Sequence, residues 1–144
     1  MTAMDFEVLA KEFLKNMIML QKAGHQRVIQ EGIQGESIVL HHIGKHKEII
    51  PGHISDAMGV SSARVAAVLN SLESKGLITR EIDSGDRRRI IVKLTPKGAE
   101  QAEEQHKRHV RLVSSVLTEL GEHDAKEYVR ITGKLAEVLS NLRD

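Results

Sequence analysis

Residues 51–77 read PGHISDAMGVSSARVAAVLNSLESKGL, and the way this stretch divides decides the fold. Apolar side chains stand at Ile54, Met58, Val60, Val65, Val68 and Leu72, close to the three-to-four spacing of helices laid on a core. Gly59-Val60-Ser61 breaks the pattern. Glycine at 59 can take the left-handed conformation that ends one helix, and the Ser61 hydroxyl can cap the open amides of the next. Ser55 is small where the two helices of such a pair cross closely. Pro51 fits a first helical turn, where its missing N–H costs nothing, and Lys75-Gly76 supplies the chemistry of a carboxyl end. Two short helices joined by a tight turn make a helix-turn-helix.

Outward from that pair, LITREI and RIIVKL (77–82 and 89–94) are short runs rich in β-branched residues, separated by DSGDRR, and they predict a hairpin. On the amino-terminal side, Glu48-Ile49-Ile50 predicts a short extended piece before Pro51, and SIVLHHIGKH (37–46) a helix. Phe6, Leu9, Phe13, Met17, Leu20 and Val28 mark an amphipathic first helix that ends at the GIQGE break (32–36). Beyond the hairpin, Thr95-Pro96 opens a long helix with its stripe at Ala102, His106, His109, Val113, Val116 or Leu117 and Leu120. Gly121 then separates it from a last helix carrying Tyr128, Ile131, Leu135, Val138 and Leu142 on one side. The fold class expected is mainly α with a small β-hairpin. It is a winged helix-turn-helix with flanking dimerisation helices. The organisation expected is a single domain over 1–144, with a winged core at 36–98. The helices at 1–31 and 99–144 carry apolar faces that a small core cannot cover and a second copy can.

Charge narrows the function. The net charge is +1, but residues 45–98 hold ten Lys/Arg against six Asp/Glu, whereas both flanks are slightly acidic. A basic centre faces an anion. Three consecutive arginines, Arg87, Arg88 and Arg89, sit at the hairpin tip directly after a helix-turn-helix. A recognition helix reads base edges in the major groove while an adjoining loop reaches the minor groove, whose narrow stretches attract arginine. Neighbouring side chains in a hairpin point to opposite faces, so the three do not share one task. Asp86 is placed to hold one guanidinium by a bidentate link. Lys45, Lys47, Lys75 and Arg87 are candidates for phosphate contact.

Other classes recede. With no cysteine in 144 residues there is no disulfide, thiol nucleophile or thiolate metal site. Phosphate-loop, nucleophile-elbow and H-E-x-x-H patterns are lacking, so an enzyme is not expected. No apolar run approaches the roughly 20 residues that cross a bilayer, and the expected location is the cytoplasm, with no membrane partner. Eight histidines do invite a metal. His106 and His109 are three apart and His42 and His46 four apart, spacings that place two imidazoles on one helical face.

Three segments together, MGVSSARVAAVLNSLESKGLI (58–78), DRR (86–88) and LTPKG (94–98), resemble the MarR family (multiple antibiotic resistance regulators). The resemblance extends over essentially the full length. It implies a homodimeric transcription factor, usually a repressor, whose winged domains bind double-stranded DNA at a pseudopalindromic operator and whose grip an unknown small-molecule effector releases. Arg88 matches the wing arginine that enters the minor groove, with Asp86 as its partner. Ser61, Ser62 and Arg64 fall at the start of the recognition helix, and Asn70 lies further along its exposed side. Ala66 and Ala67 depart from the family, which more often carries Ser, Thr or a basic residue there. An alternative is a zinc-responsive branch, which implies Glu31, Glu36, His42, His106 and His109 as ligand counterparts; the positions of Ile38 and Gln105 depart from that pattern. Otherwise no cofactor is expected.

Overall fold

The computed structural model describes residues 3–24, 26, 27, 29, 30 and 35–142. Its elements are α1 (Ala3–Lys22), α2 (Glu36–Gly44), α3 (Pro51–Met58), α4 (Ser62–Ser74), β1 (Ile78–Ile82), β2 (Ile90–Leu94), α5 (Pro96–Leu120) and α6 (Glu122–Asn141). The predicted order holds. Described residues between 24 and 30 are also helical, after a bend at Ala23. His25, Val28, Glu31 and the 32–34 part of the predicted break lie outside the described residues.

The chain forms two compact units, residues 1–109 and 110–144. In the first, α3 and α4 form the helix-turn-helix that the sequence predicts. Gly59 takes a left-handed conformation, φ 62°, and ends α3. The Ser61 hydroxyl then accepts the Arg64 amide at 3.2 Å, capping α4. Ser55 does more than allow close approach. Its hydroxyl donates to the Val60 carbonyl at 2.6 Å, tying the turn back onto α3.

The core gathers Val39, Leu40 and Ile43 from α2, Ile54 from α3, and Val65, Leu69 and Leu72 from α4, with Ile49, Leu77, Ile78, Val92 and Ala102 closing it. Leu69 is fully buried while Val68 is only partly so. The inner face of α4 therefore runs 65, 69, 72, the i, i+4, i+7 line of a packed helix. β1 and β2 pair antiparallel, from Ile78 opposite Leu94 to Ile82 opposite Ile90. Ile49 adds a one-residue bridge, exchanging both backbone hydrogen bonds with Val92 at 2.7 and 3.1 Å. The expected extended piece is thus a one-residue bridge along the free edge of β2.

The LTPKG segment acts as a joint. Thr95 Oγ1 donates to the Gly76 carbonyl at 2.7 Å and accepts the Gly98 amide at 3.0 Å. The Thr95 amide donates to the Leu77 carbonyl at 3.1 Å. Gly98 itself lies against Leu77 so closely that a Cβ at 98 would overlap the Leu77 carbonyl group. In the second unit, α6 packs none of its residues into a core.

Gly98→Ala is expected to force that joint apart and to lower stability by about 1–3 kcal/mol, the usual cost of overpacking a filled site. A lower midpoint in urea unfolding, with the helical far-UV signal retained in water, is the result to look for.

Candidate nucleic-acid interface

The outward side of α4 is read directly from its burial pattern. Val65, Leu69 and Leu72 face the core, and Ser62, Ala63, Arg64, Ala66, Ala67 and Asn70 are exposed. Ser61 and Ser62 stand at the amino-terminal end of this helix, where four backbone amides have no intrahelical partner and the helix dipole favours negative charge. Ser61 spends its hydroxyl on one of these.

Asn70 is placed on the exposed side as predicted, but its carboxamide is engaged. Arg80 Nη2, from β1, donates to Asn70 Oδ1 at 2.8 Å. The same guanidinium grips Glu73 with Nε and Nη2 at 3.1 and 3.0 Å. One arginine thus braces the carboxyl half of the recognition helix to the hairpin. That hydrogen bond holds the Glu73 carboxyl below the usual carboxylate range and raises the Arg80 guanidinium above its own. The pair went unread in sequence, although a signal was present. An acid at 73 and a base at 80 flank the Gly76 turn that doubles the chain back on itself.

The wing loop spans residues 83–89, closed by the Asp83 amide donating to the Arg89 carbonyl at 2.9 Å. Asp86 does not hold an arginine side chain as expected. Its Oδ1 accepts the backbone amide of Arg88 at 2.9 Å, because a short aspartate reaches the amide two residues on before it reaches a guanidinium. Asp83 does the same for Gly85 at 3.0 Å. The three arginines then separate. Arg89 lies 3.9 Å from the Asp83 carboxylate at the loop base, whereas Arg87 and Arg88 stand in the turn, exposed and outside every ion pair observed among the described residues. The separation comes from the turn rather than from strand alternation, since β2 begins only at Ile90.

Of the other cations proposed for phosphate, Lys75 is committed elsewhere. Its Nζ donates to Glu36 at 2.6 Å, which lowers the Glu36 carboxyl pKa. Lys45 lines a cleft of about 310 Å³ with Ile38, His41, His42, Ala57 and Met58.

Among the described residues, no three His, Asp or Glu side chains gather as a metal-binding group. His106 stacks on His41 with ring centroids 4.0 Å apart, and His42 meets His46 edge-on at 5.1 Å. Desolvation, then the neighbouring cationic groups, lowers the pKa of both His41 and His42. Glu36 is taken by Lys75, His109 is half-buried, and Glu31 lies outside the described residues.

A capped helix-turn-helix followed by a two-stranded hairpin with cationic turn residues defines a winged helix-turn-helix protein. Residues 33–89 match the family model described as MarR family. Over its helix-turn-helix and wing the chain is thus similar to the MarR family. It is 31% identical over 99 residues to the HTH-type transcriptional repressor MdtR of Bacillus subtilis, covering 69% of this chain and 64% of that one. The chain spans about 60% of the length of the curated relatives it matches. Among solved structures, the YusO protein from Bacillus subtilis superposes with a TM-score of 0.66 at 26% identity, covering 95% of this chain and 99% of that one. A mutant MarR from E. coli complexed with operator DNA superposes with a TM-score of 0.71 at 22% identity, covering 90% and 95%, and shares the fold.

The Glu73–Arg80 brace gives a testable titration. A carboxyl whose folded pKa is depressed contributes stability that is present above about 4.5 and is lost as pH falls through the folded value. By carboxyl-detected NMR, Glu73 should titrate below 4.5, and Arg80→Gln should bring it back towards that value.

Proposed function

We propose that this chain is a homodimeric, sequence-specific DNA-binding transcription regulator that acts as a repressor and is released by a small-molecule effector. The observation that carries the reading is the division of labour in the wing. Both acids at the tip are spent on backbone amides, and Arg87 and Arg88 are left with exposed guanidiniums beside a capped recognition helix. In this reading Arg88 enters the minor groove with Arg87 at the phosphates, Arg89 and Asp86 shape the loop, and Ser61, Ser62 and Arg64 meet the major groove. Asn70 stands at its edge, held by Arg80. The operator complex of the structural relative and the repressor name of MdtR support the same reading.

Dimerisation follows from uncovered apolar faces. Phe6, Leu9, Phe13, Met17 and Leu20 are exposed along α1, and Tyr128, Ile131, Leu135 and Val138 along α6, with Leu142 just beyond its end. Stripes of that length on a soluble chain mark a contact surface, and a second copy satisfies each by two-fold symmetry. Two wings then meet a pseudopalindrome. The native mass should be twice 16.0 kDa. For the effector, the cleft at Lys45 is of the size of a small ligand pocket, and its lysine and imidazoles over Met58 and Ile38 suit a small molecule carrying negative charge. No helix among the described residues is long and apolar enough to cross a membrane.

Arg88→Ala is expected to weaken binding to a selected operator duplex about tenfold or more, within the range of one good groove contact, while leaving the sedimentation mass unchanged. Undiminished affinity in that variant removes Arg88 from the interface. Wild-type binding that ignores salt removes the DNA reading altogether, since phosphate neutralisation makes affinity fall steeply as salt rises.

A further inference from the structure

The recognition helix shows an unusual inventory once its contacts are counted. Its exposed side carries Ala63, Ala66 and Ala67, and the one carboxamide on that side, Asn70, has its oxygen occupied by Arg80 Nη2 at 2.8 Å. Because a guanidinium only donates, the amide is fixed with its oxygen towards the protein. The two-point match of asparagine to adenine needs that oxygen to accept from the adenine amino group and the amide nitrogen to donate to N7. Arg80 thus occupies one of the two lone pairs of that oxygen and turns it towards β1, out of line for the two-point pairing, and Glu73 holds Arg80 in place through two further hydrogen bonds. Ser61, at the start of the same helix, accepts the Arg64 amide and keeps only its O–H to donate outward. Polar reading groups are withdrawn from the middle of the helix. Three methyl groups remain there.

We infer that α4 reads its half-site through thymine C5-methyl groups packed against Ala63, Ala66 and Ala67, with Arg80 as the positioning residue that keeps Asn70 out of base recognition. The inference rests on the DNA-binding reading above and adds to it the chemistry by which the major groove is discriminated. In that groove thymine is the only base of the four that carries a methyl group, and alanine is a side chain that meets it without needing a hydrogen bond. Along the 63, 66, 67 line such a surface also approaches the base edges closely, as only methyl groups stand there between backbone and groove, with Arg64 to one side. The wing arginines supply the electrostatic part of the grip, which carries little base information by itself.

The test starts from duplexes enriched by the purified 144-residue chain from a random library of about 20 base pairs. In the enriched duplex each thymine is replaced in turn by deoxyuracil, which differs only by loss of the methyl group. At two or three clustered positions per half-site, affinity is expected to fall about fourfold per methyl, the value of burying one such carbon. 5-Methylcytosine opposite guanine at those positions should recover part of the loss relative to cytosine. Ala66→Ser and Ala67→Ser should shrink the uracil penalty at particular positions, a change in preference that a general loss of folding does not produce. Asn70→Ala should leave the pattern of preferred bases intact, whereas Arg80→Gln, which frees the carboxamide, should add tolerance for adenine beside the methyl positions. Uracil substitution that changes affinity less than twofold at every position overturns the inference while leaving DNA binding standing. Failure to enrich any duplex overturns the DNA-binding reading itself, and the inference with it.

Discussion

The structure depends on one crowded junction, where the Thr95 side chain and the bare Cα of Gly98 meet the backbone at Gly76 and Leu77. Four elements come together there: the end of α4, the start of β1, the end of β2 and the start of α5. The threonine hydroxyl both donates and accepts, donating to the Gly76 carbonyl just past the end of α4 and accepting one orphan amide at the start of α5. A segment that looks like a mere signature in sequence is therefore the place where helix and wing acquire a fixed relation.

Arg80 extends that relation along the helix. It sits on β1 and holds two residues of α4 a turn apart, so any tilt of the recognition helix against the hairpin strains three hydrogen bonds at once. Lys75 fastens the same helix end to the start of α2 through Glu36. These are exposed pairs, and surface ion pairs contribute little to global stability. Their value is directional. They set where a rigid helix points, and pointing is what a reading surface needs.

Much of the fold was legible in the sequence because its signals are local. Proline at 51 and 96, glycine at 59 and serine at 61 each act within a few residues, and the structure places helix ends at all four. The strand runs were legible for the same reason, as was the short extended piece at Ile49. What escaped was the choice of partner. Asp86 was expected to meet a guanidinium and meets a backbone amide instead, since a side-chain pattern does not disclose which of two nearby donors geometry favours. The Arg80 brace joins residues separated by a turn, and Lys75 meets an acid 39 positions away. The outward side of α4 was legible from periodicity, but not the withdrawal of Asn70 within it. The histidines show another such pairing. Their spacing along each helix was legible, but not that His106 stacks flat on His41 from another helix.

The outer end of the hairpin carries a consequence of its own. Ile82 and Ile90 form the last rung of the ladder, yet they are 70% and 44% exposed, so they lean on each other and on no core. A rung of that kind opens at a small fraction of the cost of unfolding the domain. The loop beyond it is then a semi-independent flap whose stiffness comes from its own aspartates, and its amides should trade with solvent long before those of the helices beneath.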